Sequence, residues 1–302
     1  MAIGSNTYTT YDTTGMREDL INEISNIDPV ETWFQSSIGS TKAKQRYHEF
    51  MKDVLAAPAA NAQIEGNQWT ATAIVAPVRT GNYCQILGKA FAITDTEEVT
   101  DKAGRASEVS YQKALKLKEL ANDIEYALIV NSSSVTGATG TARQLKGLTG
   151  WITTTTVSGT GTENQPLTQT LLDDCLQAIW KEGGKPSNAI MGSFQKRKID
   201  NFSVNTRNIN AEQKKLISTV SVYEGSHGTI TLRLHHIMQA EAAGKIFVLG
   251  DLGLWKKAWL RPLRWKQLPY TGFAEFWAVE AELTLEARNE AGAGVITELT
   301  TS

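Results

Sequence analysis

The chain reads as a mixed α+β protein of discontinuous build, with one long helix as a spine and a compact α/β unit inserted before a return strand. Three stretches carry that reading. Residues 103–132, AGRASEVSYQKALKLKELANDIEYALIVNS, place apolar side chains at Val109, Ala114, Leu117, Leu120 or Ala121, Ile124 and Leu128. Those steps match an amphipathic helix with some drift. At 1.5 Å per residue, a helix of roughly 26 residues spans about 39 Å, well beyond the usual three turns. Residues 68–100 form long β-like runs with too little sequence of their own to make a core. Residues 277–287 alternate apolar residues at Trp277, Val279, Ala281, Leu283, Leu285 and Ala287 with Ala278, Glu280, Glu282, Thr284 and Glu286, a strand with one wet face.

Taken in order, residues 1–15 are rich in Thr, Ser, Gly and Tyr and read as an extended arm that orders against a partner. A short helix is expected from Met16 to about Ser25, broken by Asp28-Pro29. Trp33, Phe34 and Ile38 then stand in a polar background as hydrophobic pegs on a connector. Residues 55–66 are small and extended, with Pro58 barring a helix interior. TATAIVAP and CQILGKAFAIT follow as two arms around a turn at Arg79-Thr80-Gly81-Asn82. After the spine, the Gly- and Thr-dense residues 132–166 read as a surface loop or weak edge strands.

The inserted unit begins with a helix, LTQTLLDDCLQAIWKEGG, whose stripe is Leu171, Leu172, Cys175, Leu176, Ile179 and Trp180 and whose stop is Gly183-Gly184. SNAIMGS reads as a buried strand and SFQKRKIDNF as a helix capped by Ser193. LISTVSVYEG and TITLRLHHIM are strands about the turn Gly225-Ser226-His227-Gly228. KIFVLGD is a buried strand and LWKKAWLRP an edge-like one.

The bulk numbers exclude several classes. The 302 residues are 41% hydrophobic, enough for one large core or two moderate ones, and 30 Lys and Arg against 32 Asp and Glu leave a net charge of −2. That is no basic surface for sequence-independent nucleic-acid binding, although a chain of this charge can surround nucleic acid. The two cysteines, Cys84 and Cys175, have no metal or redox spacing and fit buried thiols in a reducing compartment. No apolar run approaches the ~18 residues of a membrane helix. The N-terminus is not a signal peptide in pattern, so a cytoplasmic site of synthesis is expected.

Motifs for chemistry are missing. The sequence holds no phosphate loop, dinucleotide fingerprint, HExxH or GxSxG. His235-His236 would point to opposite faces of a strand and cannot share a metal. His48-Glu49 has no third partner nearby. Lys196-Arg197-Lys198 reads as a solvated helix face. Arg261, Arg264 and Lys266, interleaved with Trp259 and Trp265, read as an interface or sheet edge rather than a base-stacking strip. Eight tryptophans mildly favour an oligomer.

This order of parts resembles the tailed-phage major capsid proteins of the Hong Kong 97-like fold. The stretches that carry the likeness are TYDTTGMREDL, IGSTKAKQRYHEFMKDVLAAPAANAQIEG, RTGNYCQI, AGRASEVSYQKALKLKELANDIEYALI, GSFQKRKIDNF, LWKKAWLRPL and LTLEARNEAGAG. The resemblance implies an N-terminal arm at 1–48, an extended loop at 49–102, a peripheral domain of 103–165 with 262–302, and an axial domain at 166–261. It implies a shell subunit that self-assembles as pentamers and hexamers into an icosahedral head around double-stranded DNA, in the virion, after assembly in the host cytoplasm. Scaffold, portal and decoration proteins are further expected partners, and no membrane, cofactor, metal or catalytic residue is. Inter-subunit contacts are expected from Trp33, Phe34, Ile38, Trp69, Arg79, Tyr83, Trp151, Arg261 and Arg264. Two alternatives stay open: a related shell enclosing protein cargo, and an unrelated enzyme with a β-rich lid.

Overall fold

The computed structural model describes residues 32–53, 55–69, 71, 73–101, 104, 106–158, 165–202, 221–239, 244–269 and 272–301. The expected arm at 1–15 and helix at 16–25 lie outside them.

The spine is helix α3, Glu108–Val130; it is preceded by two short helices, α1 (Trp33–Ser37) and α2 (Asp95–Val99). It is shorter than the 26 residues expected because Ser107 ends the extended approach and accepts the Ser110 N–H at 3.2 Å. The Glu98 carboxylate on α2 accepts the N–H groups of Glu108 and Val109 at 2.9 and 3.1 Å, placing a negative charge at the positive helix end. At the other end, Gly147 N–H donates to Asn131 O and Thr149 Oγ1 to Ile129 O. These groups come from the loop that leads into α4, Leu148–Trp151. A Cβ on Gly150 would lie 2.4 Å from Ser132 O, so only glycine lets the loop close on the spine.

Beside the spine lies a four-stranded sheet in the order β1 (Gly39–Lys42), β10 (Trp255–Gln267), β11 (Ala274–Ala287), β4 (Gln85–Thr94). Val279, Ala281, Leu283 and Leu285 of β11 share one core with Leu120, Ile124, Ala127 and Leu128 of α3. The alternation therefore sets the packing face as expected. The even positions do not form a wet face: Glu282, Thr284 and Glu286 are buried, because a hairpin and the loop around Arg143 cover them. β10 is interior only over Lys256–Trp259, where β1 pairs with it in parallel and β11 antiparallel on the other side; beyond Trp259 its only partner among the described residues is β11, as for an edge strand.

The hairpin consists of β2, Tyr47–Lys52, and β3, Val78–Tyr83, in register from Tyr47 with Tyr83 to Lys52 with Val78. Arg79-Thr80-Gly81-Asn82 thus lies inside a strand and is not a turn. Gly81 is needed there because a Cβ would meet His48 O and the Tyr47 ring at 2.8 Å. The connection between β2 and β3 is a long extended segment without strand pairing among its described residues.

The strands of the inserted unit lie in a six-stranded sheet in the order β5 (Thr156–Ser158), β12 (Ala293–Thr297), β9 (Phe247–Gly250), β6 (Asn188–Met191), β8 (Gly228–Leu234), β7 (Val222–Gly225), in which β5 and β12 come from outside residues 166–261. Successive residues face opposite sides. Ile190, Val248 and Val295 join the spine core, whereas Met191, Phe247, Leu249 and Ile296 join a second core with α5 (Gln169–Lys181). That core also takes Ile199 of α6 (Ser193–Phe202). Trp180, expected in the α5 stripe, is instead exposed. The strand β12, not foreseen as a strand, lies between β5 and β9 of this sheet.

Candidate assembly surfaces

The segment between β2 and β3 presents apolar side chains to solvent. Trp69 is 91% exposed, and Leu55, Ile64, Ile74 and Val75 are exposed with it. Pro58 bars a helix interior and Gly66, at φ 83°, breaks the run, so these side chains have no local partner. The chain's own cores close without them. Of the five, only Trp69 was foreseen. The others lack either periodicity and were legible only as apolar residues in a segment unable to bury them.

The foreseen contact residues divide. Phe34 is 1% exposed, and it and Ile38 are buried in the spine core. They are not free pegs, because α1 docks on α3 and leaves neither with surface for a neighbour. Trp33 is half-buried, with the Arg233 guanidinium 5.5 Å above its ring. Arg79 pairs with Glu49 at 3.0 Å and keeps most of its side chain in solvent. Tyr83 stacks against Tyr47, with ring centroids 4.6 Å apart. Trp151 packs against Phe50 and donates through Nε1 to Lys146 O at 3.1 Å. Arg261 and Arg264 lie together on β10 and face the carboxylates of β11.

Those carboxylates form an ion-pair row. Glu282 accepts from Arg143 at 2.5 Å and from Arg261 Nε at 2.7 Å. Glu280 meets Arg264 at 2.6 Å, Lys266 at 2.8 Å and Arg261 at 3.4 Å. The hydrogen bonds from Lys266 and Arg264 hold the Glu280 carboxyl below its ordinary value. Burial pushes Glu286 up, but Arg288, His48 and Thr41 outweigh it and hold its carboxyl down. Arg143 was missed because it stands in the Gly- and Thr-rich stretch read as a surface loop. That stretch in fact packs inward through Leu145, Leu148 and Ile152.

No group of three or more His, Cys, Asp or Glu among the described residues could hold a metal. His235 is buried against Glu125, and His236 begins the 3-10 turn that follows β8. Cys84 and Cys175 are buried free thiols; burial pushes them up to about 11 and about 12. No described helix is long and apolar enough to cross a membrane.

Comparison with known proteins supplies the context. The family model for the SU10 major capsid protein matches residues 5–300. A major capsid protein of Escherichia phage Phieco32 is 32% identical over 123 residues, 40% of this chain and 35% of that one. The aligned part therefore spans about a third of that relative's length. A solved chain from Gordonia phage Cozz superposes with a TM-score of 0.65 at 11% identity, covering 99% of this chain and 98% of that chain. The holo-SrpI encapsulin of Synechococcus elongatus PCC 7942 superposes with a TM-score of 0.59 at 10% identity, covering 95% and 94%. These two show a shared fold only.

Proposed function

The chain belongs to the SU10 major capsid protein family, and from that premise we propose that it self-assembles, as pentamers and hexamers, into an icosahedral head shell around the double-stranded DNA of a tailed phage. It is a major capsid protein with the Hong Kong 97-like fold, a structural component of the virion. The observation that carries the assembly reading is the exposed apolar segment between β2 and β3. It holds residues such as Leu55, Trp69 and Ile74 in solvent beside cores that need nothing from it. Such a segment gains its burial from a neighbouring subunit. Each contact is modest, about 25 cal/mol per Å² less the ordering cost, and a symmetric lattice repeats it many times.

In this reading, residues 1–48 act as the arm and 49–102 as the extended loop. Residues 103–165 with 262–302 form the peripheral domain and 166–261 the axial domain. Trp33, Trp69, Arg79, Tyr83, Trp151, Arg261 and Arg264 supply inter-subunit contacts. Assembly takes place in the host cytoplasm, with scaffold, portal and decoration proteins as further partners. DNA is enclosed without sequence-specific contact, in keeping with a net charge of −2. The role is structural rather than catalytic.

Negative-stain electron microscopy and light scattering of the purified chain test this. Closed shells, rings of five or six subunits, or tubes are the expected result. A monodisperse monomer or dimer at every salt concentration would count against self-assembly of the chain alone. The competing reading is a related shell around protein cargo. Nuclease-protected DNA in particles from infected cells supports the head reading, and a co-purifying enzyme supports the competitor.

A further inference from the structure

The β2–β3 hairpin lies over β11 with one buried side chain, and that side chain is polar. Of the hairpin's residues only Asn82 is buried. On the same face, His48 reaches Glu286 at 3.3 Å, Lys52 reaches Glu290 at 3.7 Å and Phe50 packs on Trp151. None of these three is fully buried.

Asn82 uses its whole amide. Nδ2 donates to Lys146 O at 2.9 Å and to Leu285 O at 3.0 Å, and Oδ1 accepts the Lys146 N–H at 2.9 Å. Only one orientation of the amide fits, because the reverse would set its oxygen against both carbonyls. All three partners are backbone atoms, one on β11 and two in the loop before α4. Lys146 O also accepts the Trp151 indole N–H at 3.1 Å, which fixes that carbonyl in turn. An apolar side chain here would seat the hairpin by buried area, which has no preferred direction. Hydrogen bonds are directional, so three from one buried amide hold the hairpin at one angle to the sheet.

The angle matters because of what the hairpin carries. Lys52 and Val78 are its last pair, and residues 53–77 run out and back between them. Each arm is about 12 residues and reaches up to about 40 Å. A tilt of about 10° at the base moves the far end by about 7 Å, more than the ~4 Å over which side chains stay in contact. The exposed apolar residues of that segment, Trp69 among them, can meet a fixed site on a neighbour only if the base does not rock.

We infer that Asn82 is a positioning residue of assembly: it locks the angle of the hairpin, and through it the placing of the extended segment and the uniformity of the shell. The inference rests on the shell reading and names the residue that gives that reading its geometry.

Spin labels at Met51→Cys on the hairpin and Lys118→Cys on the spine, in a chain whose native thiols are removed by Cys84→Ala and Cys175→Ala, report the angle below the concentration at which the chain assembles. One narrow distance is expected. Asn82→Ala should broaden it about twofold or more, and its particles should vary in diameter or stay open where the unaltered chain closes at one size. Asn82→Thr suits a strand and can give only one of the two donations. It should act in the same way, and it decides the matter where the alanine variant does not fold. Leu172→Ala in the α5 core is the control for lost stability, and should keep the narrow distance and the single diameter. A narrow distance without Asn82, equal broadening in Leu172→Ala, or uniform native-sized particles without Asn82 overturn the inference and leave the shell reading standing. No particles from the unaltered chain count against the shell reading, and the role of Asn82 falls with it.

Discussion

His235 Nε2 lies 3.1 Å from Glu125 Oε1, with both side chains fully buried. The Ile237 N–H points at Nδ1 from 3.3 Å, and a backbone amide can only donate. The ring proton therefore sits on Nε2 and is given to Glu125. The same carboxylate accepts the Phe34 N–H at 2.6 Å and the Gln35 N–H at 2.8 Å. One side chain on α3 thus fixes the first turn of α1 and the end of β8. Glu125→Ala leaves three donors without an acceptor, two of them buried, and a loss of about 3–5 kcal/mol is expected. Glu125→Gln keeps one acceptor and should lose about 1–3 kcal/mol. Denaturant unfolding measures both. Hydrogen exchange at Phe34 and Gln35 should rise first, and unchanged protection there would refute the cap.

The spine's buried face is narrower than its periodicity suggests. Leu117 falls on the expected stripe yet is 37% exposed, whereas Leu120, three residues on, is fully buried. Leu120→Ala should cost about 2–5 kcal/mol, and Leu117→Asp less than about 1 kcal/mol. Melting curves of the two variants decide this. Equal destabilisation would mean that both face the core.

Acid should weaken the sheet through Glu286 and Glu290. Glu286 is held down by Arg288, His48 and Thr41 against its own burial. Glu290 is likewise held down, against burial, by Thr154, the Thr153 and Thr154 N–H groups and Lys52. A carboxyl depressed on folding adds stability that is complete above its ordinary value of 4.5 and is lost as pH falls through the folded value. Stability should therefore be flat near neutrality and fall below about pH 4.5. Glu286→Gln should make that fall shallower. An identical slope in both proteins would remove Glu286 from the explanation.

Both thiols should be inert in the folded chain. Burial pushes Cys84 up to about 11, with the Glu282 charge adding to it, and Cys175 up to about 12. The thiolate is the reactive form, so alkylation at pH 8 should be slow until denaturant unfolds the protein. Prompt labelling of Cys175 without denaturant would show that the α5 core opens.

Periodicity made the helices α3, α5 and α6 and the strand β11 legible, because one face of each is dictated by a core. It failed where the deciding partner was remote in sequence. The even residues of β11 look solvent-facing by composition, yet Glu282 is buried because Arg143 and Arg261 arrive from other segments. Arg79-Thr80-Gly81-Asn82 has turn chemistry, yet pairs with residues 48–51, across the long connection. Phe34 and Ile38 looked like free pegs because the surface that buries them lies about ninety residues on, around Glu125. The exposed residues Leu55, Ile64 and Ile74 were hidden in the sequence because exposure of an apolar side chain has no periodic signature.

That exposure leads to the strongest separation of folding from assembly. β2 and β3 are antiparallel, with Lys52 opposite Val78, so the two ends of the extended segment emerge side by side. A short turn can replace residues 54–76 without disturbing the ladder. β4 must stay, since it pairs with β11 along ten residues from Ala274 to Leu283. The shortened chain should melt within a few degrees of the intact one, because no described residue of the segment joins a core. Its assembly should be abolished, because the apolar surface proposed to bind neighbours is gone. Calorimetry and electron microscopy on the same preparation check the pair of outcomes. Shells from the shortened chain would move the essential contacts elsewhere. A cooperative loss of folding would show that residues 54–76 pack on their own subunit.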